Sequence, residues 1–273
     1  MPFAGPIWGR ALNIAKSCLV AAQAHRNDSN IEVPDMDYVV VSLDLISGII
    51  QGLGPSAAPL IQASNPPIHT LIGICLQPDT ATDVQISAFA LLGDLAINTS
   101  SLLLPHIPEL MPLILNGMHR SSSSLAWSSP NNNATWAMGE IAIRYQSGIH
   151  PYIPHILERT IPTLSSNDIT LSLAENISIL LGRLGLVAAE LVAPHLGLFV
   201  LKFLVMLGKS GDNLEKESAF SGMCNMIVIN PNAMTLHLQS FCDAVTRWKQ
   251  LDPHLKSKFK QVILNLDRSW ICM

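Results

Sequence analysis

Apolar residues recur along most of the chain at the three- and four-residue steps of an amphipathic helix. The clearest stripe consists of Val39, Leu43, Ile46, Ile50 and Leu53. Further helices are predicted to begin after polar capping residues at 79–80, 131–133, 167–168 and 212–213. An amphipathic helix is also expected at the start, through Ala24. Because no stretch shows the strict alternation of a β-strand, the pattern predicts an all-α protein.

Five glycines mark a repeat within these helices, at spacings of 45, 46, 43 and 40 residues: Gly48, Gly93, Gly139, Gly182 and Gly222. Prolines recur with the same period, because Pro105, Pro151 and Pro194 each follow the preceding repeat glycine by 12 residues. Two marks in phase at this period are typical of stacked helical hairpins. Each proline is expected to open a partner helix, over 105–117, 151–164 and 194–207, and two last helices are expected over 233–249 and 253–270.

The composition fits a repeat array that presents a surface to another macromolecule. Hydrophobic residues make up 49% of the chain and charged residues 13%, which excludes intrinsic disorder. The net charge of −4 argues against general nucleic-acid binding and weakly favours basic ligands. Five scattered cysteines without a C-x-x-C pair indicate reduced thiols inside the cell. The most apolar later segment, 196–207, is short and carries Lys202, so no membrane span is expected.

Chemical motifs give no support to an enzyme, a cofactor or a metal site. His150 and His155 lie five residues apart, which is not the spacing of two ligands on one helical face. The sequence Gly-Lys-Ser at 208–210 imitates the end of a phosphate-binding loop, but Phe203 stands where the first glycine belongs and the preceding segment is helical. Nucleotide binding is therefore not predicted, and no nucleophile and base are found together.

Several short stretches resemble the transportin (karyopherin-β2) family of nuclear import receptors, which belongs to the importin-β superfamily and is built of HEAT repeats. They are SLDLISG at 42–48, FALLGDL at 89–95, NNATWAMGEI at 132–141, PYIP at 151–154, LGRLG at 181–185, EKESAF at 215–220 and FCDAV at 241–245. The matches are collinear over about residues 3–265, whereas the tail 267–273 matches nothing in the family. The resemblance implies a HEAT-repeat solenoid, a right-handed superhelix of about six hairpins whose second helices line the concave side.

The same resemblance implies that residues 1–273 are a single repeat array from the C-terminal third of a longer superhelix, with a Ser-rich loop at 119–130. Its expected function is to recognise the upstream, apolar or basic part of proline-tyrosine nuclear localisation signals. Cargo proteins are the expected partners, nucleoporins are allowed, and the Ran GTPase would act only through repeats that this chain lacks. No direct contact with nucleic acid or membrane is expected. Such a receptor would occur in the cytoplasm and the nucleus.

The resemblance also implies a set of cargo-binding residues: Trp136, Asn132, Asn133, Asn176, Ile179, Asp44 and Asp94. Tryptophan would give a rigid apolar contact, carboxamides would bond an extended peptide backbone, and carboxylates would attract basic side chains. Two departures weaken the match, because Gln51 replaces an acidic residue of the family and Ser128 stands where an apolar contact is expected.

Each role has a plainer alternative. Trp136 could belong to the core of its hairpin. The asparagines at 132, 133 and 176 could be helix caps or bridges between repeats, and the two aspartates could be solvated or locally paired. At the level of function, the alternative is a general HEAT-repeat scaffold for protein assembly that does not recognise import signals.

Overall fold

The computed structural model describes residues 3–119 and 130–271, with side chains for residues 3–119 and 130–266. Within these ranges twelve α-helices have eight or more residues, and no β-strand occurs. They are α1 (Ala4–Asn27), α2 (Asp37–Leu53), α3 (Ile68–Cys75), α4 (Thr82–Asn98), α5 (Ile107–Gly117), α6 (Asn131–Tyr145), α7 (Ile153–Ser165), α8 (Leu171–Val187), α9 (Val200–Leu207), α10 (Leu214–Ile229), α11 (Leu238–Thr246) and α12 (Pro253–Ile271). The predicted all-α class is confirmed.

Contacts between helices divide the chain into two compact units, Met1–Arg144 and Tyr145–Met273. In the first unit, α1 packs on α2 and α2 packs on α4, while α3 contacts α4 and α5. The predicted apolar stripe of α2 forms the centre of this packing, because Val39, Leu43, Ile46 and Ile50 are completely buried. Burial of each such side chain contributes about 1.5–3 kcal/mol, so the stripe is a main source of stability for the first unit.

The segment Asp37–Gln62, which contains α2, is long and apolar enough to cross a membrane by length and composition. Up to three spans would result if two strongly bent helix pairs, Thr82–Asn98 with Ser100–Gly117 and Ala189–Leu198 with Val200–Leu207, were each counted as one. The sequence pattern predicted no membrane span, so this segment differs from the expectation. In the present fold the apolar stripe of α2 is covered by α1 and α4.

In the second unit, the long helix α8 packs along α10, and α10 in turn contacts α12. The shorter helix α9 contacts α8 and α11. An aromatic cluster joins these helices through edge-to-face contacts, with ring centroids 5.3–6.3 Å apart: Phe203, Phe220, Phe241, Trp248 and Phe259. Such pairs add about 0.5–1.5 kcal/mol each beyond the burial of their area, so the cluster fixes the order of α9 to α12.

Three of the repeat glycines lie where neighbouring helices approach most closely. A Cβ at Gly182 in α8 would meet the backbone of Ala219, and a Cβ at Gly222 in α10 would overlap the carbonyl oxygen of Gly182. Gly93 in α4 lies directly beneath the indole of Trp136. Gly48 in α2 is different, because no atom lies within 4 Å of the position of its Cβ. The repeat of glycines is thus partly a repeat of close helix contacts.

The repeat prolines do not open α-helices, which corrects one expectation. Pro105, Pro151 and Pro194 lie in the short 3₁₀ segments Leu104–His106, Gln146–Tyr152 and Ala193–Leu198, and the α-helices begin after them. Pro105 and Pro194 lie in the first turn of their segments, where N–H groups have no internal partner and proline is accepted. Pro151 lies further along its segment, immediately before the residue that precedes α7.

Of the predicted caps, Asn213 is confirmed, because its side-chain oxygen accepts a hydrogen bond from the backbone N–H of Lys216 at 2.8 Å. The predicted caps at 79–80 and 167–168 are wrong. Helix α4 begins at Thr82 without a side-chain cap, and Asp79 forms an ion pair with Arg26 instead. Helix α8 is capped by Thr170.

Candidate functional site

Trp136 lies in the second turn of α6, half-buried, with its indole against the α-carbon of Gly93 in α4. Any side chain larger than hydrogen at position 93 would occupy the volume of the ring, so Gly93 provides the seat for this tryptophan. Since the side chain is only half-buried, it joins α4 to α6 and still presents apolar surface. It is neither a fully buried core residue nor a fully exposed one.

The two asparagines of the predicted site lie in the first turn of α6, after the first residue Asn131. The carboxamide of Asn133 donates a hydrogen bond to the backbone carbonyl oxygen of Ile86 at 3.1 Å. Asn132 donates to the side-chain oxygen of Asn133 at 3.4 Å, and both residues are half-buried. Asn133 therefore bridges α4 and α6, as one of the alternatives for these residues anticipated.

The two predicted carboxylates have different surroundings. Asp94 in α4 is only 5% exposed, and it accepts hydrogen bonds from the hydroxyl of Ser47 and from the amide of Gln51, the latter at 2.9 Å. Asp44 in α2 is exposed and makes no hydrogen bond or ion pair with any described residue. Asp94 thus connects α2 and α4, whereas Asp44 is available to a ligand.

Gln51 has a role that sequence reasoning missed. The sequence suggested only that a glutamine here reduces the negative field of the site. In the structure the side-chain amide of Gln51 donates a hydrogen bond to the carboxylate of Asp94. This carboxylate is buried away from water, so it needs donors within the protein. Neither this partner nor Ser47 could be found from spacing, because the two lie 43 and 47 residues from Asp94.

The remaining predicted positions lie elsewhere. Asn176 and Ile179 belong to α8 in the second unit, where Asn176 is half-buried and Ile179 is only 4% exposed. Ile179 therefore offers little surface in this conformation. Ser128 and residues 120–129 of the Ser-rich loop lie outside the described residues. The structure thus brings together Asp94, Trp136 and Asn133 around α4.

Among the described residues, one group of side chains has the donor atoms of a metal site, although no metal was expected. Ligand atoms of His69, His106 and Glu109 lie within 4.8 Å of one another in the first unit. However, the two imidazole rings stack in nearly parallel planes, with centroids 3.5 Å apart and an interplanar angle of 9°. The lone pairs of imidazole lie in the ring plane, so two parallel rings cannot direct them at one ion. Burial and the neighbouring His106 lower the pKa of His69.

Comparison with known proteins shows which proteins this helical array is similar to. No family model matches the chain. Importin subunit beta-2 of Schizosaccharomyces pombe is 36% identical over 262 residues, which cover 96% of this chain and 28% of that protein. Transportin-1 of Homo sapiens is 36% identical over 266 residues with the same coverage, and transportin of Dictyostelium discoideum is 31% identical over 259 residues. The chain is homologous to a segment of transportin.

The fold agrees with this homology. A crystal structure of Kap121p superposes with a TM-score of 0.56 over 95% of this chain, at 13% sequence identity. The match confirms the HEAT-repeat solenoid as the fold class. The chain spans about 28% of the length of the transportin relatives that it matches. The resemblance to transportin is confirmed, while the roles of individual residues remain predictions.

Proposed function

We propose that this chain is part of a nuclear import receptor, and that the surface formed by α2, α4 and α6 binds the segment upstream of a proline-tyrosine nuclear localisation signal. The observation that carries the proposal is the 36% identity to transportins across 96% of the chain. The names importin and transportin denote transport receptors and not enzymes. By the same homology, the proposed location is the cytoplasm and the nucleus.

The exposed side of α2 supports the chemical part of the proposal. Val41 is 64% exposed and Leu45 is 44% exposed, and they lie three residues before and one residue after the exposed Asp44. Exposed apolar residues on both sides of a free carboxylate match a segment that carries both apolar and basic side chains. On α6, the half-exposed indole of Trp136 adds a rigid apolar contact of the kind that dominates binding energy at interfaces.

The proposed partners follow from this assignment. Cargo proteins with nuclear localisation signals are the direct partners of the surface, and nucleoporins are further candidates of the family. The Ran GTPase is expected to act through repeats that are not in this chain. A peptide with only the upstream element should therefore bind without any requirement for Ran.

The test is a binding measurement with a labelled peptide that carries an apolar and basic stretch upstream of a proline-tyrosine pair. Trp136→Ala should weaken binding at least tenfold, which corresponds to about 1.4 kcal/mol. Trp136→Phe keeps an aromatic ring on Gly93 and should lose much less. Asp44→Asn should weaken binding of the basic peptide and leave a peptide with neutral residues in place of the basic ones unaffected. Thermal melting of each variant checks that the fold is kept.

The alternative, a general scaffold, predicts a different outcome. Such a protein would ignore the peptide and retain folded partners, and neither Trp136→Ala nor Asp44→Asn would change its behaviour. If Trp136→Ala binds the peptide as well as the original chain, the assignment of this surface is wrong. Binding that depends on Asp44 and Trp136 together supports signal recognition over the scaffold.

A further inference from the structure

Two neighbouring turns of the second unit line an open pocket of about 540 Å³ that is separate from the candidate cargo site. One turn follows α9, at residues 208–213, and the other follows α11, at residues 247–252. The pocket is lined by Lys209, Arg247 and Lys249 together with the carboxylate of Asp212. We call it the turn pocket. The Gly-Lys-Ser sequence that imitated a phosphate loop contributes Gly208, Lys209 and Ser210 to its wall.

The walls of the turn pocket are held by a hydrogen-bond network centred on Asp212. One carboxylate oxygen accepts from the backbone N–H groups of Lys249 at 2.7 Å and Gln250 at 3.2 Å. The other oxygen accepts from the Lys216 ammonium at 3.0 Å, and the same ammonium donates to the carbonyl of Ser210 at 2.9 Å. Because these bonds connect both turns, the pocket is formed before any ligand arrives, which reduces the entropy cost of binding.

Lys216 completes the base of this network. It is only 1% exposed, and its ammonium lies 4.4 Å from the ring centroid of Trp248. An ammonium over an indole is favourable, and the Asp212 carboxylate supplies the opposite charge that a buried lysine needs. The charge of Asp212 is therefore balanced by the ammonium of Lys216. It does not balance the cations at the rim of the turn pocket.

Those rim cations have no partners of their own. The side chains of Lys209, Arg247 and Lys249 are exposed and form no ion pair with any described residue. Three carboxylates close to the pocket in sequence have other partners: Glu215 pairs with Arg183 at 3.5 Å, Asp243 accepts a hydrogen bond from Gln239 at 2.8 Å, and Asp252 accepts from the first backbone N–H groups of α12. Three unpaired positive charges on one small pocket repel one another, and a ligand with several negative groups would remove that repulsion.

We propose that the turn pocket binds an acidic peptide segment of a partner protein. A short acidic segment responds to the local field, because charges more than about 8 Å away are screened at physiological ionic strength. A long nucleic acid would also meet the remainder of a chain whose net charge is −4, which disfavours it. The cations come from two turns, so they match carboxylates spaced along a chain better than a single small anion.

The test compares two variants that lose the same amount of charge. The first changes Lys209, Arg247 and Lys249 to Gln. The matched control changes three exposed lysines elsewhere, Lys16, Lys202 and Lys260, to Gln. Binding of a fluorescein-labelled peptide of alternating Glu and Ser is measured by anisotropy at low salt. The control should bind like the original chain, whereas the pocket variant should bind at least tenfold more weakly. Added salt should weaken binding by the original chain.

Four outcomes would overturn the proposal. One is no measurable binding of the acidic peptide by the original chain, and another is an equal loss in both variants, which would show a general charge effect. The third is tighter binding of single-stranded RNA, and the fourth is full displacement of the peptide by inorganic phosphate at a similar concentration of anionic groups. Either result would assign the pocket to another class of ligand. Thermal melting confirms that both variants remain folded, and the import peptide serves as an independent readout of the first unit.

Discussion

The indole of Trp136 occupies the volume that a Cβ at Gly93 would need. Gly93 and Trp136 are 43 residues apart, which is close to the spacing of the repeat glycines. The two residues therefore belong to successive repeats that pack on each other. A helix interior normally disfavours glycine by about 1 kcal/mol relative to alanine. At position 93 the missing side chain is required, because it leaves room for an aromatic ring of α6 against α4.

We therefore predict that Gly93→Ala destabilises the protein by about 1–3 kcal/mol, the usual cost of adding a methyl group to a filled contact. Gly48→Ala is the matched control, since it changes a repeat glycine of α2 that has open space around it. That variant should be neutral or stabilised by up to about 1 kcal/mol through helix propensity. Urea unfolding measures both, and a similar loss in the two variants would contradict the role of Gly93 as the seat of Trp136.

A second prediction concerns the connection between α2 and α4. Gln51→Glu would place a second carboxylate beside the buried Asp94 and replace an attractive hydrogen bond by repulsion. We expect a loss of about 1 kcal/mol in the free energy of unfolding at neutral pH. Gln51→Met, which removes the bond without adding charge, should cost less.

The control for added charge is Gln261→Glu, at an exposed position of α12, which should change stability little. The repulsion is electrostatic and the side chain at position 51 is exposed. Added salt should therefore reduce the loss of unfolding free energy caused by Gln51→Glu. A cost that does not respond to salt, or one that Gln51→Met equals, would show that the shape of the side chain matters rather than its charge.

The thiols provide a third prediction. Burial raises the pKa of Cys75 to about 12 and that of Cys224 to about 12, whereas Cys242 is only half-buried. Since the thiolate is the reactive form, Cys242 should be alkylated by iodoacetamide at mildly alkaline pH before Cys75 and Cys224. Mass spectrometry of the folded protein reads the order directly, and unfolding in urea should abolish the difference. Early modification of Cys75 in the folded protein would contradict the buried environment.

The sequence predicted helices where the apolar stripe was strong, as in α2, and it predicted the repeat from its glycines. It failed at boundaries, where a polar residue such as Asp79 had a distant partner, Arg26, that no local pattern reveals. The prolines were expected to open α-helices, but they lie in 3₁₀ segments that precede those helices. At the candidate site, Trp136 and Asn133 could be named from the resemblance. Their partners, Gly93 and the carbonyl of Ile86, required the packing of one repeat on the next.

The pH dependence of stability tests the network beneath the turn pocket. Burial of Asp212 raises its pKa, but the hydrogen bonds from the Lys249 and Gln250 amides and from Lys216 outweigh burial, so the pKa of this carboxyl lies below its ordinary value. The unfolded chain, with a pKa of about 3.9, therefore binds the proton more readily than the folded protein. The stability that this carboxylate contributes is present above that value and is lost as the pH falls through the folded pKa.

Asp212→Asn removes this titration and leaves the buried ammonium of Lys216 without its opposite charge. At neutral pH the variant should be less stable by about 2 kcal/mol. The difference from the original chain should shrink as the pH is lowered below about 4, where protonation of Asp212 produces the same loss. Asp243→Asn, which changes an exposed carboxylate bonded only to Gln239, is the control and should show little effect at either pH. Urea unfolding at both pH values supplies the measurement. A difference for Asp212→Asn that stays constant with pH would mean that the carboxylate is not held in its charged form by this network.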